Sequence, residues 1–135
     1  MSEVNVALVQ SMYAAYARGD IATILGSLTP DVGWHTIGRK EDFPAFGPRR
    51  GVPAAQEFFK TVAQEIEFSE FTPREFYCDR DKVFVLGRYA MAVKKTGRKV
   101  ASEWVHIFTF RGGRVAQFHE FLDTAQLANA YGDRA

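Results

Sequence analysis

Apolar residues recur every three or four positions in two parts of the chain, and this spacing is typical of helices that pack on a core. It predicts a helix over residues 4–17 and a short second helix that follows Asp20 and ends before Pro30. The same spacing returns after Pro53 and predicts a third helix that reaches Gln64.

From Phe68 onward the apolar period changes to two and β-branched and aromatic residues become frequent, which indicates strands. The predicted strands are residues 32–37, 68–78, 82–93, 99–110 and 114–123. Short turns join the last four, so these four are expected to pair antiparallel. This order of elements predicts an α+β fold with helices on one face of a curved sheet. Residues 1–135 are expected to form a single domain with one core.

A stretch of fourteen residues, 38–51 (GRKEDFPAFGPRRG), separates the first strand from the third helix. Loops of this length are uncommon in compact domains and often cover or line a binding site. Two interpretations stay open. The stretch is either a lid that brings Glu41 or Asp42 toward a pocket, or a solvated connector.

The composition excludes several classes of protein. The net charge of +1 gives no basic excess for nucleic acid or an anionic membrane, and no apolar run approaches the roughly 20 residues of a membrane span. The chain begins without the basic and apolar regions of a signal peptide, so a cytoplasmic location is expected. The single cysteine, Cys78, is expected to be a small buried residue. Twelve phenylalanines are enough to fill a core and to line an apolar pocket as well.

The turn at Gly112-Gly113 decides which side chains of the last two strands share a face. A two-residue turn would place His106 opposite His119, whereas a three-residue turn that includes Arg111 would place it opposite Phe118. The three-residue turn is favoured because it brings the more apolar faces of both strands together. An error of one residue would turn every side chain of the last strand to the other face.

The favoured pairing predicts a cluster of ionisable groups in a mostly aromatic pocket. His106 and Glu120 would be diagonal neighbours, roughly 7–8 Å apart at the backbone. Arg88 would join them if its face of the preceding strand points inward. Further side chains expected to line this pocket and bind a ligand are Tyr16, Trp34, Thr36, Trp104, Phe108 and Phe118.

Several strings of the chain, in this order, resemble the NTF2-like superfamily and in particular its SnoaL-like members. They include residues 16–20 (YARGD), 28–35 (LTPDVGWH), 103–110 (EWVHIFTF) and 120–124 (EFLDT). The resemblance implies a cone-shaped, cystatin-like fold in which a bent antiparallel sheet wraps around about three helices and encloses a deep apolar pocket. It also implies homodimers formed through the outer face of the sheet.

The resemblance extends to ketosteroid isomerases, polyketide cyclases, epoxide hydrolases and non-catalytic binders, whose catalytic residues differ. Met12 stands where the isomerases carry a tyrosine, Thr36 lies near their general base, and His106 takes the place of their protonated aspartate. Steroid isomerisation by that mechanism is therefore not expected. The arginine–aspartate pair of the epoxide hydrolases is incomplete, because Ala90 follows Arg88 two residues later.

The sequence thus predicts a small-molecule enzyme that works without metal or redox cofactor, since the three histidines lack metal-ligand spacing. Its expected reaction is acid–base isomerisation, cyclisation, dehydration or hydrolysis of an apolar, carbonyl-bearing or polycyclic molecule. His106 would be the acid–base group, Glu120 its partner and Arg88 the holder of an anion or oxyanion.

Two other hypotheses stay open. The same cavity could bind a small apolar ligand without chemistry, or the outer face of the sheet could recruit a partner. That outer face is predicted to carry Val83, Val85, Tyr89, Val105 and Ile107.

Overall fold

Helices and strands account for most of residues 2–132, the part of the protein that the structure, a computed structural model, describes. The helices are α1 (Ser2–Ala17), α2 (Ile21–Gly26), α3 (Val52–Glu65) and α4 (Thr124–Ala130). The strands are β1 (Leu28–Thr36), β2 (Gly47–Arg50), β3 (Ile66–Asp79), β4 (Lys82–Val93), β5 (Lys99–Arg111) and β6 (Arg114–Phe121). The predicted α+β class and the bounds of the last four strands, to within two residues, are confirmed.

Six strands form one curved, unclosed sheet in the order β2-β1-β6-β5-β4-β3. Every pair of neighbours is antiparallel except β1 and β6, which run parallel. Two-residue turns at 80–81 and 112–113 close two of the hairpins, where the sequence predicts turns of three residues. The two long helices, α1 and α3, lie against one face of this sheet and bury the core between them and the sheet.

The two short helices begin with capping side chains. The carboxylate of Asp20 accepts a hydrogen bond from the backbone N–H of Thr23, and Asp123 caps α4 in the same way. Such caps satisfy N–H groups that the first helical turn leaves unpaired. The helix α2 ends at Gly26, however, and β1 begins at Leu28, so Pro30 lies within a strand. Proline is tolerated there because pairing with β6 is irregular between Leu28 and Gly33.

The stretch over residues 38–51 is neither an open lid nor a solvated connector. Phe43 and Phe46 are 6% and 1% exposed and join the core, and the stretch ends in β2, which extends the sheet. Asp42 forms a salt bridge with Arg39 at 3.1 Å. The segment therefore contributes two aromatic rings to the core.

The strand β4 turns the opposite face inward from the one that would have brought Arg88 into the pocket. The buried side of β4 carries Val83, Val85, Gly87, Tyr89 and Met91. The prediction of Val83, Val85 and Tyr89 as an outer surface is therefore wrong, whereas Val105 and Ile107 do lie on the outer face of β5. Both faces of β4 are apolar, so alternation did not distinguish them. Cys78 is exposed and not buried.

No helix within residues 2–132 is long and apolar enough to cross a membrane.

Candidate functional site

The hairpin between β5 and β6 combines a two-residue turn with a bulge. Arg111 pairs with Arg114 across Gly112-Gly113, and the extra residue Ala116 then shifts the register by one. Residue 106 consequently lies directly opposite residue 120. The three-residue turn predicted from the sequence is wrong, but the bulge restores the predicted alternation, so the same side chains face inward.

His106 and Glu120 form a buried pair at the centre of this hairpin. The ring nitrogen Nε2 of His106 lies 2.8 Å from Oε2 of Glu120, and the two residues are 3% and 9% exposed. The hydroxyl of Thr36, on β1, donates to Oε1 of Glu120 at 2.9 Å. Both oxygens of the carboxylate are thus held, one by each neighbouring strand.

Tyr13, which the sequence analysis missed, completes this chain of hydrogen bonds. Its hydroxyl lies 2.7 Å from Nδ1 of His106. The signal was present, because Val9, Met12, Tyr13 and Tyr16 follow helical spacing and mark the inner face of α1. We refer to Thr36, Glu120, His106 and Tyr13 as the relay.

The chemistry of each group fixes the direction of the hydrogen bonds. A carboxylate only accepts, so Nε2 of His106 carries a hydrogen toward Glu120. In the neutral imidazole, Nδ1 then accepts from the hydroxyl of Tyr13. Burial, and then the charge of Glu120, raise the pKa of Tyr13 well above its ordinary value. The tyrosine therefore stays protonated and can act as a hydrogen-bond donor.

Trp104 supports the relay from behind. Its ring stacks on the imidazole of His106 with centroids 3.9 Å apart and planes tilted by 21°. It is 2% exposed and is not among the side chains that line the cavity. Trp104 thus lies behind His106 and not in the lining of the cavity, where the sequence analysis expected it. The absence of a side chain at Gly87, directly opposite on β4, leaves the space into which this ring folds.

The relay faces a mostly apolar cavity of about 90 Å³. Five of the predicted pocket residues do line it: Tyr16, Trp34, Thr36, Phe108 and Phe118. The helices and the strands β3 and β4 add further walls that the sequence analysis did not identify, among them Phe58, Phe59, Phe71 and Tyr89. Within residues 2–132, no group of three or more His, Cys, Asp or Glu side chains offers ligands for a metal ion.

Four aromatic side chains line both this cavity and a groove of about 780 Å³ beside it. They are shared by both spaces and we call them the aromatic wall: Tyr16, Phe59, Phe68 and Phe71. All four are only partly buried, and Phe71 lies 5.3 Å, centroid to centroid, from both Tyr16 and Phe68. An engineered cavity of about 150 Å³ holds one benzene ring. The cavity alone is smaller than that, so a ligand with one ring would extend between these side chains toward the groove.

Arg88 is not part of the site. It lies on the outer face of the sheet, where its Nε is 3.7 Å from Oε1 of Glu70 and its strand neighbour is Glu103. His119 and His35 also point outward, with ring centroids 5.9 Å apart. Of the three predicted catalytic residues, the structure brings together His106 and Glu120.

The curved sheet, the helices on its concave face and the enclosed polar cluster define an NTF2-like protein, and similar solved structures carry that description. One from Burkholderia xenovorans is 30% identical, with 98% of each chain covered and a TM-score of 0.88. Another from Burkholderia pseudomallei, of unknown function, is 28% identical, with 98% of this chain and all of the other covered and a TM-score of 0.88. TerC, co-crystallised with polyporic acid, is 25% identical, with 94% and 97% covered and a TM-score of 0.83.

The family within this class follows from the sequence itself. Residues 9–118 match the model of the SnoaL-like domain, so the protein belongs to the SnoaL-like family. Among curated proteins, none matches the chain.

Proposed function

We propose that the protein is an acid–base enzyme of the isomerase or cyclase type, which acts on a small, largely apolar molecule with a carbonyl group. The observation that carries this proposal is the relay, a continuous run of hydrogen bonds that ends at the wall of an apolar cavity. A buried run of titratable groups beside an apolar cavity is an arrangement that suits general acid–base catalysis. The cavity volume favours a ligand with one ring over a polycyclic one.

Both ring nitrogens of His106 are already bonded, which assigns the contact with the ligand to Tyr13. When His106 is protonated, its Nδ1–H donates to the oxygen of Tyr13, and the hydroxyl of Tyr13 is released to donate to a carbonyl oxygen. Negative charge that develops on that oxygen is stabilised by the donor, and His106 can replace the proton that Tyr13 gives up. His106 thus supplies protons through Tyr13.

Glu120 is the group that can take a proton from carbon. Among the described residues it is the one carboxylate that lines the cavity, and it retains lone pairs beyond those used by Thr36 and His106. The carbon–hydrogen bond breaks toward Glu120, its electron pair forms the enolate, and Tyr13 stabilises the enolate oxygen by donating a hydrogen bond to it. Return of the proton from Glu120 to another carbon gives an isomer. Attack of the enolate carbon on a second carbonyl instead closes a ring, and the alkoxide formed there takes up the proton that Glu120 received.

Similarity to known proteins supports an organic molecule as the ligand. The protein belongs to the SnoaL-like family, and the similar protein TerC was co-crystallised with polyporic acid.

The test is catalysis of hydrogen–deuterium exchange beside the carbonyl of cyclohexanone in D₂O, followed by NMR. We expect the wild-type protein to accelerate exchange, and Glu120→Gln, His106→Gln and Tyr13→Phe each to reduce that acceleration by about 100-fold, the scale of one acid–base group. His119→Gln, on the outer face, is the matched control and should leave the rate unchanged. Equal rates in wild type and Glu120→Gln would contradict the proposal.

A binding function without chemistry is the second proposal, and one observation favours it. Both nitrogens of His106 and both oxygens of Glu120 are already hydrogen-bonded within the protein, as in a buried network that only stabilises the fold. In that case cyclohexanone would bind in the cavity but wild-type protein would not accelerate its exchange.

A further inference from the structure

Two tyrosines that line the cavity take no part in the relay. Tyr16 reaches the cavity from α1 and Tyr89 from β4, and both line it. Tyr89 is 3% exposed. Buried polar groups are almost always hydrogen-bonded. Neither of these two hydroxyls has a hydrogen-bond partner among the described residues, yet neither oxygen is sealed off by packing. Each therefore faces free space with an unused donor.

The surroundings decide what kind of group these donors fit. Burial, and then the charge of Glu120, raise the pKa of Tyr16 to about 12, and the pKa of Tyr89 rises for the same reasons with a further contribution from Tyr16. Both hydroxyls therefore remain protonated at neutral pH. Both rings also pack against Phe71, with centroids 5.3 Å from it for Tyr16 and 5.8 Å for Tyr89, so the two tyrosines flank one part of the cavity wall.

The residues that line the cavity indicate the charge of the ligand group that these two hydroxyls would bind. Among the described residues, no lysine or arginine lines it, whereas the carboxylate of Glu120 does. An anionic group would meet a negative charge there without a compensating cation, at a large cost in desolvation. An uncharged oxygen accepts hydrogen bonds without that cost.

We propose that Tyr16 and Tyr89 form a second hydrogen-bonding position that binds an uncharged oxygen of the ligand. The ligand is then a small ring with two oxygen functions, one held by Tyr13 and the other by this tyrosine pair. The orientation of the first oxygen rests on the proposed function, whereas the tyrosine pair is a property of the cavity itself. The pair would set the specificity of the site, because a ring that lacks the second oxygen leaves two buried donors unpaired.

Cyclohexane-1,4-dione and cyclohexanone are matched probes for this position, since they differ by one carbonyl on the same ring. We expect the wild-type protein to bind the dione more tightly, measured by calorimetry. Tyr16→Phe and Tyr89→Phe should each weaken dione binding by about three- to ten-fold, the effect of one neutral hydrogen bond, and change cyclohexanone binding less than two-fold. Tyr77→Phe, which removes an exposed hydroxyl on the outer face, is the control and should bind both probes as wild type does.

Dione preference tests the second hydrogen-bonding position, and deuterium exchange in Glu120→Gln tests the acid–base function. If wild type fails to prefer the dione, or if the Tyr16→Phe/Tyr89→Phe double variant keeps the preference while melting as wild type does, the second position is overturned. Loss of exchange in Glu120→Gln would still support the relay in that case. If the double variant loses the preference while Glu120→Gln exchanges at the wild-type rate, the second position stands and the acid–base function falls.

Discussion

His35 and His119 lie side by side on the outer face of the sheet, where β1 and β6 run parallel. Burial, and then the neighbouring imidazole of His119, lower the pKa of His35 below its ordinary value. The unfolded chain therefore binds a proton at His35 more readily than the folded protein does. The free energy of unfolding is unaffected by His35 at high pH. It decreases as the pH falls through the ordinary histidine pKa, because the unfolded chain then takes up the proton first.

His35→Asn should remove part of that acid sensitivity. We expect the Tm of the variant to fall less than the wild-type Tm between about pH 7.5 and pH 5, and to equal it at higher pH. His119→Asn should have a smaller effect in the same direction, because it removes only the second cause of the shift. Parallel losses of Tm in wild type and His35→Asn would contradict this account. Calorimetric melting over the pH range gives the measurement.

At the scale of residues, the sequence predicted the two members of the site that share a hairpin. The pair of His106 and Glu120 follows from local alternation along two adjacent strands. Tyr13 depends on how α1 is placed against the sheet, and that placement is decided by packing between distant segments. Arg88 was misplaced because both faces of β4 are apolar, so the hydrophobic pattern does not identify its inner side.

The contact between Gly87 on β4 and Trp104 on β5 helps to position the ring of His106. A Cβ atom added at Gly87 would fall well inside the contact distance of the Trp104 ring, which stacks on His106. Gly87→Ala should therefore destabilise the protein by about 1–3 kcal/mol, the usual cost of overpacking a core, and slow the exchange of cyclohexanone. Urea unfolding measures the first effect and NMR the second.

Two further variants make this prediction specific. Gly26→Ala, where an added Cβ has open space, should cost no stability. Combining Gly87→Ala with Trp104→Phe should recover part of the lost stability, because the smaller ring leaves room for the methyl group. If Gly87→Ala unfolds at the same urea concentration as wild type, Trp104 is not held in place by the space at Gly87.

At the scale of elements, regular periodicity predicted the long helices and strands, and irregular backbone caused the errors. The strand β2 has no alternating pattern, and only its pairing with β1 defines it. The bulge is visible in the spacing of apolar residues along β6. Val115 and Phe118 are three residues apart in the sequence, and the structure buries both of them. That odd spacing is incompatible with a regular strand and indicates an inserted residue.

The outer face of the sheet carries an apolar row that crosses three strands. Leu86, Val105 and Phe121 are neighbours on β4, β5 and β6, and Leu86 and Phe121 are 36% and 43% exposed. Exposed apolar surface of this kind is typical of contacts between proteins. A second copy related by two-fold symmetry would present the same row, so that apolar side chains meet apolar side chains.

We expect a homodimer through this face, which sedimentation equilibrium would detect. Leu86→Lys or Phe121→Lys should shift the protein to a monomer, because either change places a charge in the apolar row. Val4→Lys, at an exposed apolar residue of α1, is the matched control and should leave the dimer intact. A monomeric wild-type protein, or a dimer that persists in both row variants, would exclude this face as the interface.

The aromatic wall bears on how fast a ligand enters and leaves the cavity. Tyr16, Phe59, Phe68 and Phe71 lie between the cavity and the groove, so a molecule in the cavity passes between these rings when it enters or leaves along this path. Their displacement involves two helix segments and the start of β3, and collective motions of this kind take microseconds to milliseconds. Residence time, and with it turnover, would then be governed by how often the rings part rather than by how strongly the ligand is held.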